Sequence, residues 1–326
     1  MHWVQERPCH PLLAPVTVLA DFFNDIALAC DVVPSTLDAI KSCILLTIKL
    51  CTGVDHTNNY ELYAICARYH KECPAEVFTY PDWNLVLVLE ILRSSHFEPL
   101  HEISMKMLTY KTVLLVAIAC SCRVSELHAL AFDKLSHTKD WSIVYLEAKS
   151  DFLAKNQSIR KDSRKFALKA LVKPVHKTSF PPNSSEAAQY HRNKLLCPVR
   201  ALRVYLARTA YRRRNKHALF ISLNANHKSD ITKQSICNWV RKTIYLCYQL
   251  AGENDQNLGR ASVHEIRSVT SSIKFERSMS LDSVLKTCMW KHNNTFTRYY
   301  LRDVAVLSDN LYRMPPLWMA QSVING

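Results

Sequence analysis

The sequence is poor in glycine, with only 4 glycines against 13 prolines in 326 residues. Glycine supplies the positive φ angles that tight hairpins need, so its scarcity argues against a fold built from many short hairpins. The longest apolar stretches, residues 43–48 and 113–120, are too short to span a bilayer. We find neither an internal repeat nor a low-complexity segment. These absences favour a mainly helical protein that does not enter a membrane.

The start of the chain lacks the positive residues and apolar run of a signal peptide. The 12 cysteines do not form a closely spaced framework, so we expect reduced thiols in a cytosolic or nuclear protein. Cys66, His70 and Cys73 place soft ligands on neighbouring helical turns, but no second ligand pair lies at a matching distance. A closed zinc site needs four ligands, so we expect no metal here.

The charge is strongly positive and unevenly distributed. The formal net charge is +14 at pH 7. Residues 1–80 have five basic and nine acidic side chains, a net −4, which leaves +18 for the remainder. A strongly basic region after a slightly acidic first 80 residues indicates a polyanionic partner. The alternative is a basic surface that only keeps the protein soluble.

Apolar spacing divides the chain into two regions. Residues 16–70 show the three- and four-residue spacing of short amphipathic helices, and the segment 34–36 predicts a break and a cap. Residues 73–81 contain two prolines and no strong period, which predicts a domain boundary. We therefore expect a helical domain at residues 1–78 and a second domain at residues 79–326.

The second region is expected to be helical with a small sheet, an α+β fold that is mainly α. Asp82 is predicted to begin a helix, and residues 104–119 form a longer one that is buried all round. Further helices are predicted at residues 124–130, 195–208 and 233–250, and short strands at 141–146 and 166–171. The strands flank a polar hairpin that contains Lys149 and Lys155.

The residues that carry chemistry occur in a fixed order along the chain. They are two arginines, a histidine, a tryptophan and two tyrosines: Arg123, His264, Arg267, Trp290, Tyr299 and Tyr300. Two guanidinium groups can hold the nonbridging oxygens of a phosphodiester in fork geometry, and they keep their protons when they are desolvated. A phenol can then attack the phosphorus, and a lysine can protonate the leaving oxygen. This chemistry requires no metal or nucleotide cofactor.

The motifs resemble the three active-site boxes of the tyrosine recombinases, the group of the phage integrases. The matching segments are Arg123-Val124-Ser125-Glu126-Leu127, His264-x-x-Arg267 and residues 290–300. Residues 196–202 and 290–303 are also similar to recombinases of eukaryotic mobile elements of the DIRS and crypton type. The resemblance covers roughly residues 81–303, and the ordered set of boxes is specific.

The resemblance assigns a role to each site residue. It makes Arg123 and Arg267 the phosphate-binding arginines, and Glu126 a carboxylate that orients the first box. It puts His264 at the first histidine position and Trp290 where many members have a second histidine. An indole N–H is a donor only, so Trp290 can bind a phosphate but cannot shuttle protons.

Two assignments keep alternatives. The wider family spacing selects Tyr299 as the nucleophile, whereas the mobile-element pattern selects Tyr300, which we prefer. Lys155 matches the hairpin sequence of the family better than Lys149, and we prefer it as the general acid.

The resemblance implies a site-specific recombinase or integrase that works through a 3′-phosphotyrosyl intermediate, without a cofactor. Its partners would be double-stranded DNA and three further copies, in a homo-tetramer on two DNA sites. The expected location is the nucleus, or the cytoplasm for a prokaryotic or viral source. Residues 1–78 would be a SAM-like core-binding domain, although they are short and acidic for a DNA clamp. Either part of the clamp is missing, or it mainly contacts neighbouring protomers.

Two other functions stay open at this stage. The first is a DNA-binding protein of recombinase descent that has lost turnover, which the acidic first domain suggests. The second is a monomeric type IB topoisomerase, which shares the chemistry but not the mobile-element resemblance.

Overall fold

The chain divides into two compact units, Met1–Phe78 and Thr79–Gly326. The division falls inside residues 73–81, where the sequence predicts a boundary. The structure, a computed structural model, describes residues 9–29, 32–74, 83–153, 165–172, 181, 184–213, 217–224, 230–253, 258, 263–277, 280–288, 290, 292–304 and 321–322.

The first unit is helical. Its helices are α1 (Val16–Ala29), α2 (Pro34–Thr52) and α3 (Tyr60–Glu72), preceded by a 3₁₀ turn at Pro11–Leu13. Phe23 and Leu37 are completely buried in the apolar core of this unit. This organisation agrees with the apolar spacing of residues 16–70.

The expected cap at the start of α2 is absent. Pro34 is the first helical residue, and the preceding Val33 makes no capping hydrogen bond through its side chain. Ser35 and Thr36 therefore lie inside the first turn. Proline suits this position because its fixed φ is already helical and its missing N–H would be unpaired there anyway.

The second unit contains a 3₁₀ turn at Ala210–Arg212 and the remaining described α-helices. They are α4 (Leu85–Ile91), α5 (Met105–Cys120), α6 (Val124–Ala129), α7 (Ser185–Leu195), α8 (Pro198–Thr209), α9 (Lys233–Ala251), α10 (Val263–Glu276), α11 (Leu281–Cys288) and α12 (Asn293–Tyr299). Helix α5 is the centre of this unit, since every residue from Leu108 to Cys120 is buried. It packs against α8, α9 and α10. The prediction of a helix buried all round is confirmed.

Capping residues explain where two of these helices begin. The side chain of Ser104 accepts a hydrogen bond from the backbone N–H of Met107, at 3.3 Å, so α5 begins where the sequence predicts. Helix α4 begins at Leu85 rather than at Asp82, which lies outside the described residues. Asn84 is its cap and accepts from the backbone N–H of Val86 at 2.9 Å.

The sheet is small and antiparallel. Its strands follow chain order: β1 (Leu130–His137), β2 (Ile143–Ala148), β3 (Lys165–Lys169) and the two-residue β4 (Gln321–Ser322). In the register of β2 and β3, Val144 pairs with Leu168. Strands β2 and β3 confirm the two predicted strands within a few residues.

Strand β1 was not predicted. It follows α6 without a loop, and its register with β2 is irregular between Ala131 and Ser136. Its side chains therefore lack the regular alternation by which a half-buried strand is recognised. The mainly α fold with a small sheet is nevertheless confirmed.

None of the helices in the described ranges is long and apolar enough to cross a membrane.

Candidate active site

The site is built on the turn that joins α5 to α6. Ser121 ends α5 with φ of 47°, a left-handed conformation that few residues other than glycine adopt. The chain then becomes extended at Arg123, the residue before α6. The backbone N–H of Arg123 donates to Glu126 Oε2 at 2.8 Å, and its Nη1 lies 3.4 Å from Glu126 Oε1. Glu126 thus fixes both the main chain and the side chain of Arg123.

Glu126 also holds the second arginine. Arg267 Nη1 on α10 lies 3.3 Å from Glu126 Oε2, and both side chains are almost completely buried. Because the carboxylate contacts both guanidinium groups, Arg123 and Arg267 are held near each other although 144 positions separate them in the chain. Burying charges is costly unless they are paired, so each of the three groups depends on the others.

Arg267 makes two further contacts with the main chain. Its Nη1 donates to the carbonyl oxygen of Ser121 at 2.9 Å, and its Nη2 donates to the carbonyl oxygen of Cys288 at the end of α11. The side chain is 1% exposed. Arg267 therefore connects three elements, and we expect it to stabilise the fold as well as any bound phosphate.

The aromatic residues form a cluster beside this arginine. The ring of Tyr300 stacks on the ring of His264, with centroids 4.9 Å apart, and lies 4.5 Å from the ring of Trp290. The guanidinium carbon of Arg267 lies 4.8 Å from the Trp290 centroid and 5.7 Å from that of Tyr300, within cation–π distance. Tyr300 is buried, whereas Tyr299, the last residue of α12, is 56% exposed.

Two hydrogen-bond donors in this cluster are unsatisfied. Trp290 Nε1 and Arg267 Nε are buried and have no hydrogen-bond partner within the described part of the chain. Buried donors almost always have a partner, so two exceptions in one cluster need an explanation. Each is a donor from which an oxygen of a bound anion could accept.

The two candidate lysines differ. Lys149 follows β2, and its Nζ lies 3.1 Å from Asp230 Oδ2 at a partly exposed position. An ion pair of this kind would have to open before the lysine could donate a proton elsewhere. Lys155 lies outside the described residues. The choice between them stays a prediction.

A third lysine, which was not predicted as a site residue, contacts the turn between α5 and α6. Lys274 is on α10, seven positions after Arg267, and is buried. Its Nζ donates to Ser121 Oγ at 2.9 Å, and burial lowers the pKa of this ammonium group. Burial also raises the pKa of the neighbouring Cys120 thiol to about 12. A spacing of seven places Lys274 and Arg267 on one helix face, which is the only signal the sequence contains.

The cysteines and histidine considered for zinc lie in the first unit. Cys66 is buried, and burial raises the pKa of its thiol. His70 Nε2 lies 2.8 Å from Asp38 Oδ2, so the imidazole already has a carboxylate partner. Within the described ranges, no group of three or more histidine, cysteine or acidic side chains is arranged for a metal ion.

Comparison with known proteins gives structural matches alone. No family model matches the sequence, and no curated protein matches it. Among solved structures, the chain is similar to the XerH site-specific recombinase bound to its palindromic difH substrate in a post-cleavage complex. The TM-score is 0.56 and the sequence identity is 14%, over 92% of this chain and 71% of that one. The XerA recombinase matches with a TM-score of 0.44 and 12% identity, over 93% of both chains. The pre-cleavage XerH–difH complex matches with a TM-score of 0.44 and 12% identity, over 89% of this chain and 76% of that one.

At such low identity the first likeness defines the fold alone. The chain has the fold of the XerH site-specific recombinase, and residues of the three sequence boxes meet in one place within it.

Proposed function

We propose that this protein is a site-specific DNA recombinase that cleaves and rejoins DNA through a 3′-phosphotyrosyl intermediate. The observation that carries the proposal is the arrangement around Glu126, where one buried carboxylate holds Arg123 and Arg267 and a buried phenol lies against the second guanidinium. In the chain these groups are far apart, and their convergence suits the binding and attack of a phosphodiester.

The arginines would act on the charge of the phosphate. Arg123 keeps 19% of its side chain exposed, so its guanidinium group can reach a nonbridging oxygen at the surface. Arg267 Nε and Trp290 Nε1 would supply further donors. Preorganised donors contribute most where negative charge accumulates in the pentacoordinate transition state, so their effect falls mainly on the rate of cleavage.

Tyr300 is the proposed nucleophile. Its phenolic oxygen attacks the phosphorus, its proton passes to His264, and the bond from phosphorus to the 5′-oxygen breaks. The departing 5′-oxygen takes a proton from a lysine, for which Lys155 is the first candidate and Lys149 the second. The phosphotyrosine conserves the energy of the phosphodiester, so a 5′-hydroxyl from another strand can reverse the step.

The charge distribution supports DNA as the partner. The first 80 residues carry a net −4 and the rest of the chain +18, so the unit that holds the site is the basic one. By its resemblance to mobile-element recombinases, we further propose a nuclear protein that assembles as a homo-tetramer on two DNA sites. The acidic first unit would then serve contacts between protomers more than contacts with phosphate.

A covalent-adduct assay tests the proposal. A nicked duplex that loses its 5′-hydroxyl fragment after cleavage traps the phosphotyrosine, and denaturing electrophoresis detects the protein–DNA adduct. We expect an adduct with the wild type and none with Arg267→Ala, while DNA affinity changes little because one phosphate contact among many is lost. Since Arg267→Ala also removes structural hydrogen bonds, its folding must be checked by thermal unfolding.

The remaining outcomes of the assay distinguish the other functions. DNA binding without an adduct would favour an inactive DNA-binding protein. An adduct together with relaxation of supercoiled plasmid by a monomer would favour a type IB topoisomerase.

A further inference from the structure

The segment that follows Tyr300 is fastened to α10 by polar contacts. Ser272 Oγ accepts from the backbone N–H of Arg302 at 2.8 Å, and its one proton is shared between the carbonyl oxygens of Ser268 at 2.8 Å and Tyr300 at 3.1 Å. One hydroxyl thus bridges the main chain on both sides of Leu301. These contacts come from α10, the helix that also carries His264 and Arg267.

A side-chain ion pair makes a second connection between α10 and the segment that follows Tyr300. Arg302 Nε lies 3.3 Å from Glu265 Oε1, and Arg302 Nη2 lies 3.3 Å from Glu265 Oε2. Both side chains are less than a tenth exposed, at 8% for Arg302 and 7% for Glu265. A two-point contact between a guanidinium group and a carboxylate fixes orientation as well as distance.

The positions of the two residues in the chain make this pair relevant to the site. Glu265 directly follows His264, and Arg302 comes two residues after Tyr300. The ion pair therefore links the neighbours of the two rings that stack on each other.

The helix that precedes Tyr300 cannot provide this precision by itself. Helix α12 has seven residues, about two turns, and a helix of this length has little stability on its own. Its apolar attachment is Phe296, which is fully buried against Trp290. Phe296 lies one turn before Tyr300, whereas the contacts of Ser272 and Glu265 hold the chain just after it.

We propose that Glu265 and Arg302 are positioning residues whose ion pair, together with Ser272, holds the Tyr300 phenol at a fixed distance from His264 and Arg267. This inference rests on the proposed role of Tyr300 as nucleophile. Neither residue touches DNA in this scheme. Their contribution is to the rate of attack, because a misplacement of about 1 Å can slow an enzymatic step by about a hundredfold.

Two variants test the pair through the rate of cleavage. Arg302→Met removes the charge and keeps much of the length of the side chain, and Arg302→Lys keeps the charge but loses the two-point geometry. With the nicked duplex at saturating concentration, we expect Arg302→Met to form adduct about a hundredfold more slowly, with Arg302→Lys between it and the wild type. The dissociation constant for DNA should stay within about threefold in both variants, because no phosphate contact is removed.

A second measurement does not depend on cleavage. Amide hydrogen exchange of the DNA-free protein reports the hydrogen bonds of Tyr300 and Arg302, whose backbone N–H groups donate to the Phe296 carbonyl and to Ser272 Oγ. In Arg302→Met, the peptide that covers residues 299–304 should lose protection selectively. Peptides from α5 should keep theirs.

Arg200→Met is the matched control. Arg200 also makes a two-point ion pair, with Glu98 at 2.8 Å through each nitrogen, at a different place in the second unit, where Glu98 has Lys111 as a second partner at 2.6 Å. We expect this variant to lower protection without singling out residues 299–304.

The outcomes separate the two proposals. Wild-type exchange and wild-type cleavage in Arg302→Met would overturn the positioning role, as would an equal selective loss in Arg200→Met. Absence of any adduct with the wild type would defeat the proposed function, and the exchange experiment would still decide whether the pair holds the segment.

Discussion

The phenol ring of Tyr300 lies nearly parallel to the imidazole ring of His264, with 4.9 Å between centroids and 27° between the planes. This relationship joins a residue near the start of α10 to the residue that directly follows α12. Its neighbour Tyr299 is more than half exposed, while Tyr300 is 6% exposed. The two phenols, equivalent in sequence, therefore have very different environments.

This difference leads to a prediction for the nucleophile. Tyr300→Phe should abolish the covalent adduct, because it removes the attacking oxygen and keeps the ring stacked on His264. Its thermal stability should change by less than about 1 kcal/mol, the typical net contribution of one hydroxyl hydrogen bond. Tyr299→Phe is the matched control and should form adduct at the wild-type rate. Loss of the adduct in Tyr299→Phe and its retention in Tyr300→Phe would assign the nucleophile to Tyr299.

Glu126 should be essential for both folding and cleavage. Glu126→Gln keeps the shape of the side chain but removes the charge that pairs with Arg123 and Arg267, and one acceptor oxygen becomes a donor. Loss of one partner from a buried ion pair typically costs about 3–5 kcal/mol, so we expect a loss of that order in urea unfolding, together with loss of the adduct.

The control for this variant is Glu72→Gln. Glu72 also pairs with a nearby arginine, Arg68, four positions away, but both side chains are about half exposed, at 56% and 48%. A change within about 0.5 kcal/mol is expected there, because surface pairs contribute little. If the two substitutions had equal effects, the shared carboxylate would not be what holds the arginines.

Features that adjacent residues determine could be predicted from the sequence, whereas features that depend on distant partners could not. The start of a helix at residue 104 was predicted, and the serine before this apolar run satisfies an adjacent backbone N–H. The left-handed turn at Ser121 could not be predicted, since its conformation depends on partners such as Lys274 and Thr270, about 150 positions away. The same holds for the carbonyl oxygen of Cys288, which any residue type would supply to Arg267.

The resemblance identified residues that the structure brings together, but it did not indicate how they are held. Arg267 was expected to bind phosphate, and in the structure its Nη atoms donate to protein oxygens. A sequence motif specifies the type of a side chain and not the number of its donors already in use. Lys155 lies outside the described residues, so its role stays a prediction.

The general acid can be identified by changing the leaving group. If the 5′-bridging oxygen of the DNA substrate is replaced by sulfur, the leaving thiolate no longer needs a proton, because thiols are far more acidic than alcohols. We expect Lys155→Ala to cleave the normal substrate slowly, by a factor of about 10²–10⁴, and to recover with the sulfur substrate. Lys149→Ala should show no such recovery, and recovery in Lys149→Ala alone would reverse the assignment. Arg123→Ala serves as the control, since its defect should persist with either substrate.

The buried Lys274 leads to a prediction about pH. Burial lowers its pKa in the folded protein, while in the unfolded chain the pKa is near its usual value of about 10.4. Between the two values the unfolded state binds more protons than the native state, so the free energy of unfolding rises with pH. Lys274 thus destabilises the fold at neutral pH, and the penalty shrinks in alkaline solution.

Lys274→Met should therefore be more stable than the wild type at pH 7, because an apolar side chain replaces a desolvated charge. Urea unfolding at several pH values should show this advantage decreasing toward pH 10. The thiols of Cys120 and Cys122, whose pKa values burial raises, act in the opposite direction because the unfolded chain releases their protons first. They are present in both proteins, so the difference between wild type and variant mainly reports Lys274.

Lys286→Met, at an exposed position of α11, is the control and should change the free energy of unfolding by less than about 0.5 kcal/mol at every pH. An advantage of Lys274→Met that is the same at every pH would mean that packing, and not the buried charge, determines it.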